Sequence, residues 1–205
     1  AVIAAIAAMV CGSVHIPASE VLSILTGHTP DKETWGNIIL NMRLPAVVTA
    51  TLAGISLAVS GLLMQTIFAN PLAGPSIMGV SSGASLGVAI IVLVCGAGIG
   101  AEITGAILGA MAVVAILVAL AGILRSGVML LIVGILLSYL SSSAITLLNY
   151  AATEQSVHAY VLWGMGTFSD TSWANMTVPA VITIIGMCAA VFMAKGLNAM
   201  LMGEN

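Results

Sequence analysis

Residues 44–101 read LPAVVTATLAGISLAVSGLLMQTIFANPLAGPSIMGVSSGASLGVAIIVLVCGAGIGA, 58 positions without one Asp, Glu, Lys or Arg. The hydrocarbon core of a bilayer is about 30 Å thick, and a helix crossing it needs about 20 apolar residues. The run therefore holds two spans. They are separated at Asn70-Pro71-Leu72-Ala73-Gly74-Pro75, where two prolines and a glycine in six residues cannot continue a helix. The first of the two is predicted to start at Arg43-Leu44-Pro45, with proline in the first turn, where its missing N–H costs nothing. It should run to about Phe68, and the next from about Ser76 to Ile99. Further along, residues 103–124, 126–153 and 171–194 form charge-free gaps of 22, 28 and 24 residues. These predict spans over 103–124, about 128–150 and about 174–194. Ala1–Val14 is apolar too and reads as the tail of a first span whose start is missing, which makes six. The predicted fold class is an all-α, polytopic membrane helical bundle.

Composition excludes the other classes. The chain is 60% hydrophobic and 5% charged, with a mean hydropathy of +1.21, against roughly 25% charged residues in soluble domains. Four basic residues and a net charge of −3 offer nothing to neutralise phosphates, so nucleic acid is not a partner. Cys11, Cys95 and Cys188 lie singly in apolar segments without a CxxC. They read as small packing residues rather than as a disulfide or metal framework, and they indicate no redox compartment. Alternating ten-residue strands are absent, which excludes an outer-membrane barrel.

The segment His15–Asn41 is polar and turn-rich, and within it Pro17-Ala18-Ser19-Glu20-Val21-Leu22 reads as a short capped helix at the membrane surface. Lys32 and Arg43 fall on one side of the predicted topology, Arg125 and Lys195 on the other, so the positive-inside rule leaves the orientation undecided. No Asp, Lys or Arg falls at mid-span, and Glu102 sits at a boundary. Ion-coupled carriers usually bury acids or histidines along their path, which weighs against that class. There is no HExxH for an intramembrane metalloprotease. Gly79, Gly83 and Gly87 form two overlapping GxxxG units, and Gly54/Ala58 and Gly105/Gly109 repeat the spacing, which lets helix backbones approach. The 12 methionines read as core filling. His158, Trp163 and Trp173 read as an interfacial aromatic belt or, functionally, as a mouth receiving substrate.

Four motifs over Arg43–Ala84 stand in one order and spacing: Arg43-Leu44-Pro45, Gly61-Leu62-Leu63-Met64-Gln65, Asn70-Pro71-Leu72-Ala73 and Gly79-Val80-Ser81-Ser82-Gly83-Ala84. Together they resemble the permease subunits of the FecCD family, the binding-protein-dependent ABC importers for iron–siderophores, haem and cobalamin. Pro17–Leu22, Gly134-Ile135-Leu136-Leu137-Ser138, Trp163-Gly164-Met165-Gly166 with Ser172-Trp173, and Leu197-Asn198-Ala199 with Gly203-Glu204 extend the resemblance over the whole chain. It implies a multi-pass subunit of the bacterial cytoplasmic (inner) membrane with ten spans, paired with a second permease subunit as homo- or heterodimer. It also implies two ABC ATPase subunits, which use the ATP, and a substrate-binding protein. The chain itself is then no enzyme and binds no cofactor.

Residue by residue, the resemblance implies that Arg43 pairs with an acid of the binding protein. A second family arginine, three positions on, is Ala46 here. Asn70 and Leu72 match the turn that narrows the cytoplasmic end of the pathway, and the fifth span, with Gly134 and Ser138, matches its lining. Gly203 and Glu204 match the opening of the loop that couples to the ATPase. Residues 1–205 read as one transmembrane permease domain, the N-terminal part of a longer family fold. The leading expectation is import of an iron–siderophore or related chelate. The alternatives are an ion-coupled secondary transporter and a non-transporting fragment or scaffold.

Overall fold

The computed structural model describes residues 2–96, 100–124, 126–168 and 171–201. Among these residues every regular element is helical. Gly203 and Glu204, assigned above to ATPase coupling, lie outside the described residues, as do Arg125 and Asp170.

The chain starts with α1 (Val2–Val10) and α2 (Ala18–Leu25). The expectation of a capped helix at Pro17–Leu22 needs correcting: Pro17 holds the cap position, and no side chain caps the helix. Its carbonyl accepts the N–H groups of Glu20 and Val21 instead. At the other end Gly27 turns left-handed at φ +86°. Gly27 N–H bonds Ile24 and His28 N–H bonds Ser23, the paired bonds of a Schellman termination.

A second correction concerns Arg43-Leu44-Pro45: α4 starts there, at Leu44, as expected, but it continues from helical backbone instead of opening at a free helix end. The short α3 (Glu33–Asn37) runs through a π turn (Ile38–Arg43) directly into α4 (Leu44–Ile67), so the helical run spans Glu33–Ile67. Proline inside a helix removes a bond and crowds the carbonyl four residues back. The wider π turn just upstream relieves that crowding.

After α4, α5 (Val80–Ala89) continues into a π turn over Ile90–Val94. Ten α-helical and five π residues cover Val80–Val94 of the span predicted over Ser76–Ile99, whose last three positions, 97–99, lie outside the described residues. The bonds Ile77 to Gly74, Gly79 to Ser76 and Val80 to Pro75 hold the first four residues of that predicted span in turns, and α5 begins only after Gly79, at φ +78°. Then come α6 (Ala101–Leu124), α7 (Gly127–Ala151), α8 (Glu154–Met165) and α9 (Trp173–Leu201). Ser126 Oγ accepts Met129 N–H at the start of α7, and Thr153 Oγ1 accepts Ser156 N–H at the start of α8. α8 lies between the spans predicted over about 128–150 and about 174–194.

Among the described residues, four helical runs are long and apolar enough to cross a membrane: Glu33–Ile67, Ala101–Leu124, Gly127–Ala151 and Trp173–Ala199. The result is a polytopic helical bundle in which four of the six expected spans have spanning length. Leu108, Val118 and Ile123 along α6 are 66%, 69% and 73% exposed. A helix apolar all round and this exposed is matched to lipid, not water.

The chain forms two compact units. Residues 1–59 with 167–194 make the first, and residues 60–166 with 195–205 the second. In the first, Met9, Ile16, Val21, Ile24 and Ile39 form a buried cluster, flanked by Trp35, Leu44 and Val47. In the second, α5 packs against α6 and α7, around Ala73, Met78, Val113, Leu117 and Leu131.

Candidate functional site

The loop between α4 and α5 begins at a helix end that carries a strained residue. Ala69 N–H bonds Thr66 and Asn70 N–H bonds Gln65, again the Schellman pair. The left-handed position that usually takes glycine is held by Ala69 at φ +45°. Asn70 Oδ1 then accepts Leu72 N–H at 2.9 Å, an Asx turn that fixes the entry to Pro71. Ala73 is buried in the second unit's core, whereas Leu72 is 73% exposed. The loop is thus anchored by its alanine and presents its leucine.

Opposite conformational demands act on the two neighbouring positions. A non-glycine residue in the left-handed region costs about 1 kcal/mol, so Ala69→Gly is expected to raise stability by about 0.5 kcal/mol after the added chain entropy. Asn70→Ala removes a turn bond and should lower it by about 1 kcal/mol. Thermal unfolding of the detergent-solubilised protein checks both signs.

The loop's exit presses on α7. A Cβ built on Gly79 would lie 2.6 Å from Gly134 O and 3.2 Å from Ser138 Oγ, and one on Gly134 would lie 2.6 Å from Met78 Cα. Ser138 Oγ donates to Gly134 O at 3.1 Å, which turns the hydroxyl inward along its own helix. The fold therefore brings Gly79, Gly134 and Ser138 together, with Met78, which sequence reasoning did not single out. Gly83 and Gly87 face another helix: their Cβ positions fall on the Gly105 and Gly109 backbone of α6. Gly54, with the same small-xxx-small spacing, has nothing within 4 Å of its Cβ position. Beside the glycine seam an apolar groove of about 420 Å³ is lined by Leu86, Ile90, Leu108, Ile116 and Leu140.

In the first unit, Arg43 reaches across to the end of α1. Its Nη1 donates to Met9 O at 2.7 Å and Val10 O at 3.2 Å, and its Nη2 to Val14 O at 2.5 Å. These carbonyls belong to a helix terminus and the loop after it, where acceptors lack intrahelical donors. The guanidinium lies against Gly12, whose Cβ would fall 2.8 Å from Arg43 Cζ. A docking carboxylate would compete with these carbonyls for the same nitrogens. No sequence signal reveals this contact, since its partners are 29–34 residues away.

The aromatic group is divided. Trp163 stacks on Tyr160 within α8 at 6.2 Å between centroids, and burial pushes the Tyr160 phenol up from its ordinary value near 10. His158 lies with Asn149, Glu154 and Val157 around a shallow cavity of about 430 Å³. Trp173, in the other unit, donates its indole N–H to Leu40 O at 3.0 Å. Among the described residues no three His, Cys, Asp or Glu side chains come together as a metal site.

The chain is similar to several transport proteins over most of its length. It is 29% identical to the hemin transport system permease protein HmuU of Yersinia pestis, over 94% of this chain and 60% of that protein. It is 29% identical to the ferric enterobactin transport system permease protein FepG of Escherichia coli, over 100% and 62%. It is 35% identical to the molybdate import system permease protein MolB of Haemophilus influenzae, over 68% and 42%. Among solved structures, a metal-chelate type ABC transporter in an inward-facing conformation matches with a TM-score of 0.81 and 28% identity, over 97% of this chain and 61% of that one. The chain spans about three-fifths of the length of HmuU and FepG. The profile of the FecCD transport family matches residues 1–205, and the chain belongs to that family.

Proposed function

We propose that this chain is part of the transmembrane subunit of an ATP-driven importer that moves an iron–siderophore or related chelate, such as haem or cobalamin, across the bacterial cytoplasmic membrane. The observation that carries this reading is the whole-chain family match, joined to the 0.81 structural likeness to a metal-chelate transporter. ATP would be hydrolysed by two partner ABC subunits. A second permease subunit would complete the pathway, and a binding protein would deliver the cargo.

The chain's own chemistry is positional. Leu72, held out on a loop pinned by Asn70 and Ala73, suits a constriction that opens and closes by side-chain contact with a second subunit. The backbone contact of Met78–Gly79 with Gly134 ties that loop to α7. A tilt of α7 would therefore carry the constriction with it, coupling the two in one movement. Gly203 and Glu204 would stand at the start of the ATPase-coupling loop, and the segment around Arg43 on the binding-protein side.

Uptake tests the reading. The full-length permease, co-expressed with its neighbouring ATPase and binding protein, is expected to accumulate labelled ferric siderophore, haemin or cobalamin only while ATP is available. Ionophores that collapse ion gradients should leave uptake intact. Uptake that follows the ion gradient and survives ATP depletion would overturn the proposal in favour of a secondary carrier. Molybdate belongs in the cargo panel because of the 35% identity to a molybdate permease, and accumulation of molybdate alone would reject the chelate assignment.

A further inference from the structure

The π turn at Ile38–Arg43 leaves a carbonyl without either of its helical donors. In an α-helix Leu40 O would accept the N–H of Leu44, but that N–H goes to Ile39 O. In a π register the donor would be residue 45, and Pro45 has no N–H. Pro45 is fully buried, so water does not reach the gap from the proline side. The donor comes from a different helix: the Trp173 indole bonds Leu40 O at 3.0 Å. Trp173 is the first residue of α9, and Ser172 just before it holds the Asn175 and Met176 N–H groups, which orients the indole at the helix start.

We propose that Trp173 is a positioning residue for transport, its indole N–H standing in for the N–H that Pro45 lacks and so pinning the start of α9 to a hinge in the Glu33–Ile67 helix. Long helices bend where a π turn or a proline interrupts the ladder, and here the two are adjacent. Proline is tolerated in spanning helices because a neighbour re-satisfies the freed carbonyl. The neighbour's bond is at the surface, with Trp173 45% exposed, so it can be released and remade as the helix bends. Pro45 can never restore it from within. The transport role rests on the import reading; the pin itself does not.

A double-substitution cycle separates the two. Trp173→Phe keeps an aromatic ring and removes the donor. In the full-length permease assembled with its ATPase and binding protein, it is expected to speed amide exchange over residues 40–47 about fivefold and to lower uptake by a similar factor. Pro45→Ala returns an N–H to position 45. In that background the same Trp173→Phe change should alter both readouts by less than about twofold. Equal losses in both backgrounds would show that the indole acts through its bulk, and no loss in either would show that the bond positions nothing; both outcomes overturn the proposal. If Trp173→Phe fails to assemble, replacing Trp173 with 3-benzothienylalanine keeps the bicyclic shape without the N–H and must give the same ratio. Should the wild-type protein take up no cargo, the import reading falls, while the exchange cycle still decides the pin.

Discussion

Gly87→Val is expected to abolish stable assembly of the α5–α6 pair, with a loss of about 3–5 kcal/mol. Most overpacked sites relax by moving the flexible end of a side chain. At Gly87 the obstacles are main-chain atoms: Gly105 O and C, and Gly109 Cα at 3.1 Å from the Cβ position. Neither helix can yield locally, so the two must separate along the whole seam and lose the dispersion contacts that hold helices together in lipid. Gly122 on the same α6 has nothing within 4 Å. Gly122→Ala is therefore expected to be neutral or stabilising by up to about 1 kcal/mol, the difference in helix propensity. Thermal unfolding by fluorescence-detected size exclusion compares the two. Equal midpoints for Gly87→Val and wild type would mean that the seam is not formed.

Arg43→Ala carries the second large effect, about 2–4 kcal/mol. It strips Met9 and Val10 at the end of α1, and Val14 in the loop after it, of their donor. A hydrogen bond to a charged donor contributes about 1.5–3 kcal/mol only where water cannot replace it, and the Val14 bond is exposed while the other two are part-buried. Arg43→Lys should recover only part of this, because an ammonium offers a point charge where the guanidinium offers a fork that spans Met9, Val10 and Val14. Gly12→Ala is expected to act in the same direction but more weakly, since its Cβ would displace the guanidinium tip. It should add little on top of Arg43→Ala, because both remove one interaction. Unfolding midpoints of the four variants test this. If Arg43 served binding-protein docking alone, Arg43→Ala would leave the midpoint unchanged and lower only the salt-sensitive affinity for that protein.

Charge-free runs were enough to place α6, α7 and α9, because in lipid a spanning helix is defined by what it lacks. The same rule overextended α5: hydropathy continues unbroken through Ser76-Ile77-Met78-Gly79, and only the hydrogen-bonding pattern shows turns there. At Pro45 the first-turn rule for proline misled. The compensating π turn lies upstream and has no sequence signature. Small-residue spacing marked Gly83, Gly87, Gly105 and Gly109, which do interlock, and equally Gly54, which meets nothing within 4 Å. Spacing says which residues share a face but not whether another helix lies against it. Gly79 fits the same repeat, yet its left-handed backbone at φ +78° diverts it from α6 to α7. The contacts of Arg43 and Trp173 are long-range pairings between a side chain and a main-chain carbonyl. Every residue has a carbonyl, so no residue type announces the acceptor.

The glycine seam between α5 and α6 also limits how that pair can move. Helices separated by side chains slide past one another by small rotamer adjustments, but these two meet backbone on backbone, with no compliant layer between them. The helices are antiparallel, and Gly83 opposes Gly109 as Gly87 opposes Gly105. A displacement of a fraction of a turn drives a neighbouring bulky residue into a glycine notch. The next position at which small again meets small sets Gly83 against Gly105 and Gly87 against Ala101, about 6 Å further along the axis. The joint thus has detents rather than a continuous range of travel. Between them α5 and α6 behave as a single strut.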